Sequence, residues 1–119
     1  MNTLDELTQL IQTFCEARDW DQFHTPKDLA IGLSTESNEL LDLFRFKTNQ
    51  QMEEMLLDDT KRAEIGGELA DIFFFLLRFS QMNHFDLKDC LEKKMEYNNK
   101  RYAVEKVKGK NLKYTELDD

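Results

Sequence analysis

The sequence predicts an all-α protein, a four-helix bundle with one short connecting helix, forming a single domain over residues 1–119. Three observations lead there. Only four glycines and one proline punctuate the chain, so turn signals are sparse. Apolar residues recur at intervals of three and four through the long stretches between them, which is the helical period. Thr3, Thr25 and Asp86 stand directly before such stretches, where a side-chain oxygen can accept from the free N–H groups of a helix start.

The first helix opens on the capping box Thr3-x-x-Glu6. Leu4, Leu7, Leu10, Ile11 and Phe14 then share one face as far as Arg18. Asp19-Trp20-Asp21-Gln22-Phe23-His24 breaks the period and reads as a loop, unusually rich in rings for a connector. Trp20 and Phe23 either staple that loop to the core or wall a ligand pocket, where aromatics stack and His24 offers a hydrogen bond. Thr25-Pro26 starts a second helix, with threonine as N-cap and proline in the first turn. It is predicted over 26–47, with Leu29, Leu33, Leu40 and Leu43 on the core side.

Residues 48–61 are polar and acidic around Met52, Met55, Leu56 and Leu57, and read as a connector containing a short helix. The third long helix is predicted over 61–83. From Ile72 it is apolar nearly all the way round, the pattern of a helix buried on most sides. Phe73 to Phe79 are therefore expected in the core and, because one small bundle covers little of such a surface, against a second copy of the chain. Gly66-Gly67 costs about 1 kcal/mol per glycine relative to alanine, which a close helix–helix approach or a local bend would explain. Asp86-x-x-Asp89 caps a fourth long helix, predicted to 106, with Leu87, Leu91, Met95, Asn98 and Tyr102 on one side. The tail over 108–119 is basic, then acidic.

Composition narrows the function. Forty per cent hydrophobic and 34% charged residues make a globular chain. A net charge of −8 disfavours a nucleic-acid partner, because the phosphate backbone needs a basic surface. No run is long and apolar enough for a membrane span, so no membrane partner and a cytoplasmic location are expected. Cys15 and Cys90 fit no zinc spacing and read as free, packed thiols.

Acids stand out instead. Glu36-x-x-Glu39 puts two carboxylates about 5–6 Å apart on one helical face, and Glu68-x-x-Asp71 does the same on the next long helix. Either pair alone is ordinarily a solvated face. Two such pairs beside leucine-rich and phenylalanine-rich surfaces repel one another unless a cation holds them. Oxygen-only ligands suit Mg²⁺ first and Mn²⁺ next. A di-iron bundle would need Glu-x-x-His motifs, and neither His24 nor His84 lies three residues after a glutamate. Glu64 and Asp42 extend the two rows, and one or the other would be an added ligand if two or three metals were held.

The stretches Arg18-Asp19-Trp20-Asp21-Gln22-Phe23-His24, Glu36-Ser37-Asn38-Glu39-Leu40, Glu68-Leu69-Ala70-Asp71-Ile72 and Asn98-Asn99-Lys100-Arg101-Tyr102 follow one another in a familiar order. With Lys113-Tyr114-Thr115-Glu116-Leu117, they make the chain resemble the all-α nucleoside triphosphate pyrophosphohydrolases of the MazG-like family, and within it the dCTP pyrophosphatases. The resemblance implies Mg²⁺ held by Glu36, Glu39, Glu68 and Asp71, bridging to a triphosphate. Water would attack the α-phosphorus, releasing nucleoside monophosphate and pyrophosphate, with Glu36 or Glu39 as base. It further implies a base pocket of Trp20, His24 and Phe46. Asn98 would read the base or sugar edge, and Lys94, Arg101, Tyr102 and the basic tail would contact phosphate. For the basic groups a solvated helix face is an equal reading. Phe46 stands where similar enzymes often carry tryptophan, and Phe75 where a tyrosine is common.

The resemblance also implies a homo-oligomer, a tetramer of paired dimers, and a role in nucleotide-pool cleansing with dCTP-like substrates favoured. Two other readings stand beside it. One keeps the fold but acts on a uridine nucleotide with two or three metals, as a dUTPase would. The other is a non-catalytic helical adaptor whose acids only form a polar interface.

Overall fold

The computed structural model describes residues 3–111 and 115, and these contain no strand. The helices are α1 (Leu4–Ala17), α2 (Pro26–Phe44), α3 (Asn49–Leu57), α4 (Asp59–Met82), α5 (Leu87–Arg101) and α6 (Val104–Val107), with a 3₁₀ turn at Asp21–Phe23. The fold is all-α, and α3 is the connecting helix the sequence predicts. No helix among the described residues is long and apolar enough to cross a membrane.

Each main helix begins where its cap stands. Glu6 N donates to Thr3 Oγ1 at 3.2 Å, Asp28 N to Thr25 Oγ1 at 3.1 Å and Asp89 N to Asp86 Oδ1 at 3.1 Å. Two further caps set α3 and α4: Gln51 N donates to Thr48 Oγ1 at 3.1 Å, and Lys61 N to Asp58 Oδ2 at 2.9 Å. Capping residues satisfy N–H groups that the helix itself leaves free. The C-terminal ends were less legible. α2 stops at Phe44 rather than 47, because Arg45 is extended and Phe46 takes a left-handed φ of 63°. α5 stops at Arg101 rather than 106, with no glycine or proline to mark the break.

The chain divides into two units, Met1–His84 and Phe85–Asp119. In the first, α2 and α4 are the central pair, and α1 and α3 pack on α4. Gly32 of α2 lies against Phe75 of α4, Glu36 and Glu39 lie by Glu68, and Leu43 and Lys61 line one cleft. Numbers rise on one helix as they fall on the other, so the pair is antiparallel. Its buried apolar residues include Leu29, Ile65 and Leu77, with Cys15 of α1. The second unit consists of α5 and α6, and α5 ends on Lys100 and Arg101, cations that suit its free carbonyls.

Three features of α4 refine its sequence reading. A β-carbon on Gly66 or Gly67 would meet nothing within 4 Å, so among the described residues of the first unit these glycines serve no close approach. The close approach is at Gly32, where a β-carbon would lie 2.6 Å from Phe75 Cζ. The 73–79 stretch divides in two: Leu77 is core, whereas Phe73 and Leu76 are exposed and with Leu69 form an open apolar stripe. Last, Arg78, in the middle of the apolar run, is 1% exposed and among the most buried residues.

Candidate functional site

The antiparallel pairing of α2 and α4 brings carboxylates from both helices together. Glu36, Glu39 and Glu68 each offer an oxygen, all within 4.8 Å of one another. Glu36 and Glu68 are half-buried and Glu39 is exposed, so the cluster opens on one side. Glu36 Oε2 and Glu68 Oε2 are buried with no donor facing them. Unpaired buried carboxylate oxygens are costly, and two carboxylates bond each other only by sharing a proton. Accordingly, Glu36 is pushed up to about 7, first by a hydrogen bond with Glu39, then by burial and the charges of Glu39, Asp71 and Glu68. Glu68 is raised as well, by burial first and then by its hydrogen bond with Glu39.

Orphaned oxygens in an acid cluster are the signature a hard cation would satisfy, so the donor set fits Mg²⁺ or Mn²⁺. Asp71 is exposed and lies outside the three-oxygen cluster, though its charge acts on both Glu36 and Glu68. Asp42 and Glu64 are outside the three-oxygen cluster and pair with nearby cations, Arg45 at 3.5 Å and Lys61 at 3.6 Å. One turn beyond Glu39, a cleft of about 520 Å³ runs between α2, α3 and the start of α4. Lys47, Gln51 and Lys61 line it, and sequence reading missed it because it exists only once α3 folds back.

At the other end of the α2–α4 pair the 19–24 loop is tied down by a buried polar network. Arg78 Nε donates to His24 Nδ1 at 2.8 Å, Nη1 donates to Gln81 Oε1 at 2.6 Å, and Nη2 pairs with Asp21. Gln81 Nε2 in turn donates to Thr8 O and Gln12 Oε1 of α1, both at 3.0 Å. His24 is held below the usual histidine range, by burial first and then by the Arg78 guanidinium, against the opposing pull of Asp21 and Asp28. Trp20 packs edge-on against Phe14 at 5.5 Å and near His24 at 6.2 Å. Phe14 continues to Phe74 at 6.2 Å, and Phe74 to Phe75 at 5.3 Å. An aromatic path thus leads from the loop to the Gly32–Phe75 contact, one turn from Glu36. Trp20 staples the loop through Phe14 while staying 39% exposed beside His24; Phe23 does not staple it, being exposed.

Phe46 lies apart from these groups. It is 93% exposed, past the far end of α2, about 20 Å along the helix from the level of Gly32. One base does not span that gap, so a single chain does not bring Phe46 together with Trp20 and His24. Lys94, Asn98, Arg101 and Tyr102 belong to the second unit, where spacing sets the first three on one face of α5 and Tyr102 is its C-cap. Lys94 Nζ lies 5.1 Å from the Tyr97 ring, and the Arg101 guanidinium lies 5.2 Å from Tyr97 and 5.8 Å from Tyr102. Of the tail, residues 112–114 and 116–119 lie outside the described residues. Arg78, Gln81 and Gly32 were the side chains sequence reading passed over. The one signal was a lone arginine inside an apolar run.

Fold and site together define an all-α protein with a carboxylate centre between antiparallel helices. The chain belongs to the MazG-like family, whose model matches residues 31–117. It is similar to dCTP pyrophosphatase 1 of Mus musculus, 34% identical over 97% of this chain and 68% of that protein. The Homo sapiens protein of the same name is 33% identical over the same shares. Among solved structures, a pyrophosphatase from Archaeoglobus fulgidus superposes with a TM-score of 0.79 at 29% identity, covering 87% of this chain and 94% of that one.

Proposed function

We propose that this protein is a nucleoside triphosphate pyrophosphohydrolase that uses Mg²⁺ to cleave deoxynucleoside triphosphates, dCTP-like ones above all, to the monophosphate and pyrophosphate. Family membership supports the reaction class, and the similarity to dCTP pyrophosphatases supports the substrate. The observation that carries the metal requirement is the pair of buried, donorless oxygens on Glu36 of α2 and Glu68 of α4, two acids that share one cluster with Glu39. Glu36, Glu39 and Glu68, with Asp71 beside them, would hold Mg²⁺, which when bound orients phosphates, offsets their charge and acidifies water. Glu36 or Glu39 takes the proton of the water that attacks the α-phosphorus. The bond from that phosphorus to the α,β-bridging oxygen breaks, and pyrophosphate leaves. Trp20 and His24 face the base.

Pyrophosphate release across a panel of deoxynucleotides and ribonucleotides, with and without Mg²⁺, tests this reading. Release from dCTP that depends on Mg²⁺ is expected. Preference for dUTP would instead favour the multi-metal uridine nucleotide hydrolase, and no release from any nucleotide would leave the adaptor. The open stripe of Leu69, Phe73 and Leu76 on α4 supports a homo-oligomer, a tetramer as the family resemblance implies. A cytoplasmic, nucleotide-pool-cleansing role accompanies that activity. Sedimentation as a monomer at micromolar concentration would remove the oligomer.

A further inference from the structure

The Arg78–His24 contact has a chemical consequence beyond holding the loop. A guanidinium offers only donors and cannot be deprotonated in a protein. With Arg78 Nε 2.8 Å from His24 Nδ1, that ring nitrogen must present its lone pair. A neutral imidazole carries a single N–H, so the proton sits on Nε2. Arg78 is not free to swing away, since Gln81 Oε1 and the Asp21 carboxylate hold its other two nitrogens and Gln81 is itself fastened to Thr8 and Gln12. Asp21 also balances the buried positive charge, without which the guanidinium would be costly to bury. Trp20 stands edge-on beside the imidazole. Among the described residues nothing bonds His24 Nε2, and the side chain is only half-buried.

We infer that Arg78 is a positioning residue for the nucleotide's base: it locks His24 in the Nε2–H form, so that His24 meets the substrate as a hydrogen-bond donor to an acceptor atom of a pyrimidine base. This rests on the proposed function, in which Trp20 and His24 face the base. A locked donor gives specificity that a freely switching histidine lacks. A base presenting an N–H at that point leaves two donors facing each other, and sites built for one hydrogen-bond pattern reject the opposite one strongly. A fixed neutral donor also suits a carbonyl oxygen or ring nitrogen better than a phosphate, which draws cations.

Long-range proton–nitrogen correlation spectra of the ¹⁵N-labelled wild-type protein test the lock without any variant of Arg78. His24 and His84 are the two histidines, and His24→Gln assigns the signals. A pyridine-type Nδ1 and a pyrrole-type Nε2 are expected for His24; an Nδ1–H form, or a mixture of tautomers, overturns the inference. The second arm is kinetic. Arg78→Met should raise KM for dCTP about tenfold, the worth of one hydrogen bond, with kcat changed less than about twofold, as for a uniform binding loss. In a His24→Ala background the same change should leave KM where it is. Additive losses would show that Arg78 does not act through His24. If Arg78→Met does not fold, the wild-type tautomer still decides. Turnover of dCTP with an Nδ1–H tautomer defeats this inference alone, whereas no turnover of any nucleotide defeats the proposed function and the substrate half of the inference with it.

Discussion

The ring of Phe75 occupies the space that a β-carbon on Gly32 would need. Gly32 is thus the glycine that lets α2 and α4 approach, one turn from Glu36 on one helix and from Asp71 on the other. Alanine at an ordinary helical position is stabilising by about 1 kcal/mol over glycine, but overpacking costs about 1–3 kcal/mol. Gly32→Ala is expected to lower stability, by about 1 kcal/mol net, and to displace Glu36 enough to weaken metal binding. Urea unfolding measures the first effect and Mg²⁺ titration the second. Gly32→Ala with Phe75→Leu should recover most of both. A stabilised Gly32→Ala protein would show that the ring gives way freely.

The acid cluster makes metal-free stability depend on pH. Glu36 is raised from 4.5 to about 7, so between those values the folded chain binds a proton that the unfolded chain does not. Its contribution is fully present below about 4.5 and is lost as pH rises through about 7; Glu68 is raised and acts in the same direction. His24 is lowered from 6.5 and works the other way in acid, destabilising the fold as pH falls below that value. Difference measurements isolate the cluster. Mg²⁺ should raise Tm more at pH 8 than at pH 5, and metal-free Glu36→Gln should be more stable than wild type at pH 8. An Mg²⁺ effect equal at both pH values would argue against a site at Glu36.

Replacing single acids should separate direct from outlying ligands. Glu39→Gln removes an oxygen of the three-membered cluster and is expected to abolish turnover while leaving the helical circular dichroism intact. Asp71 lies outside that cluster, and Asp71→Asn should cost about 10–100-fold if it acts from one shell further out, or abolish activity if binding draws it in. Wild-type rates in both variants would eliminate the four-acid site.

The two thiols should differ in reactivity. Cys15 is fully buried in α1, and burial pushes its thiol up despite the neighbouring Arg78. Cys90 is exposed, contrary to the packed role expected for both. A thiol reagent at pH 8 should modify Cys90 alone in the native protein and both cysteines in denaturant. Fast native labelling of Cys15 would mean that the network around Arg78 opens readily.

Phe46 should prove dispensable for the fold. With its ring 93% exposed, Phe46→Ala is expected to change stability by less than about 0.5 kcal/mol. A large rise in KM with dCTP alongside that unchanged stability would mean that the ring reaches the base from another copy of the chain. An unchanged KM would remove Phe46 from the base pocket.

Helices and their starts were determined by local rules, and so were legible. A threonine or aspartate before an apolar period caps the same N–H groups in any fold, which is why Thr3, Thr25 and Asp86 were found by reading. The acid pairs were legible for a similar reason: spacing of three residues fixes a shared face on α2 and on α4 before any tertiary contact exists. That the two faces meet, leaving Glu36 and Glu68 with orphaned oxygens but Asp71 outside, follows from the antiparallel register, a long-range property no local pattern encodes. The same holds for Gly32, set apart from Gly66 and Gly67 only by what lies opposite. Arg78 is the sharpest case. By sequence it is a charge interrupting an apolar run, and only the folded loop supplies the Asp21 carboxylate, the Gln81 amide and the His24 lone pair that make its burial tolerable. Sequence chose the chemistry, and tertiary packing decided which groups must answer one another once water is gone.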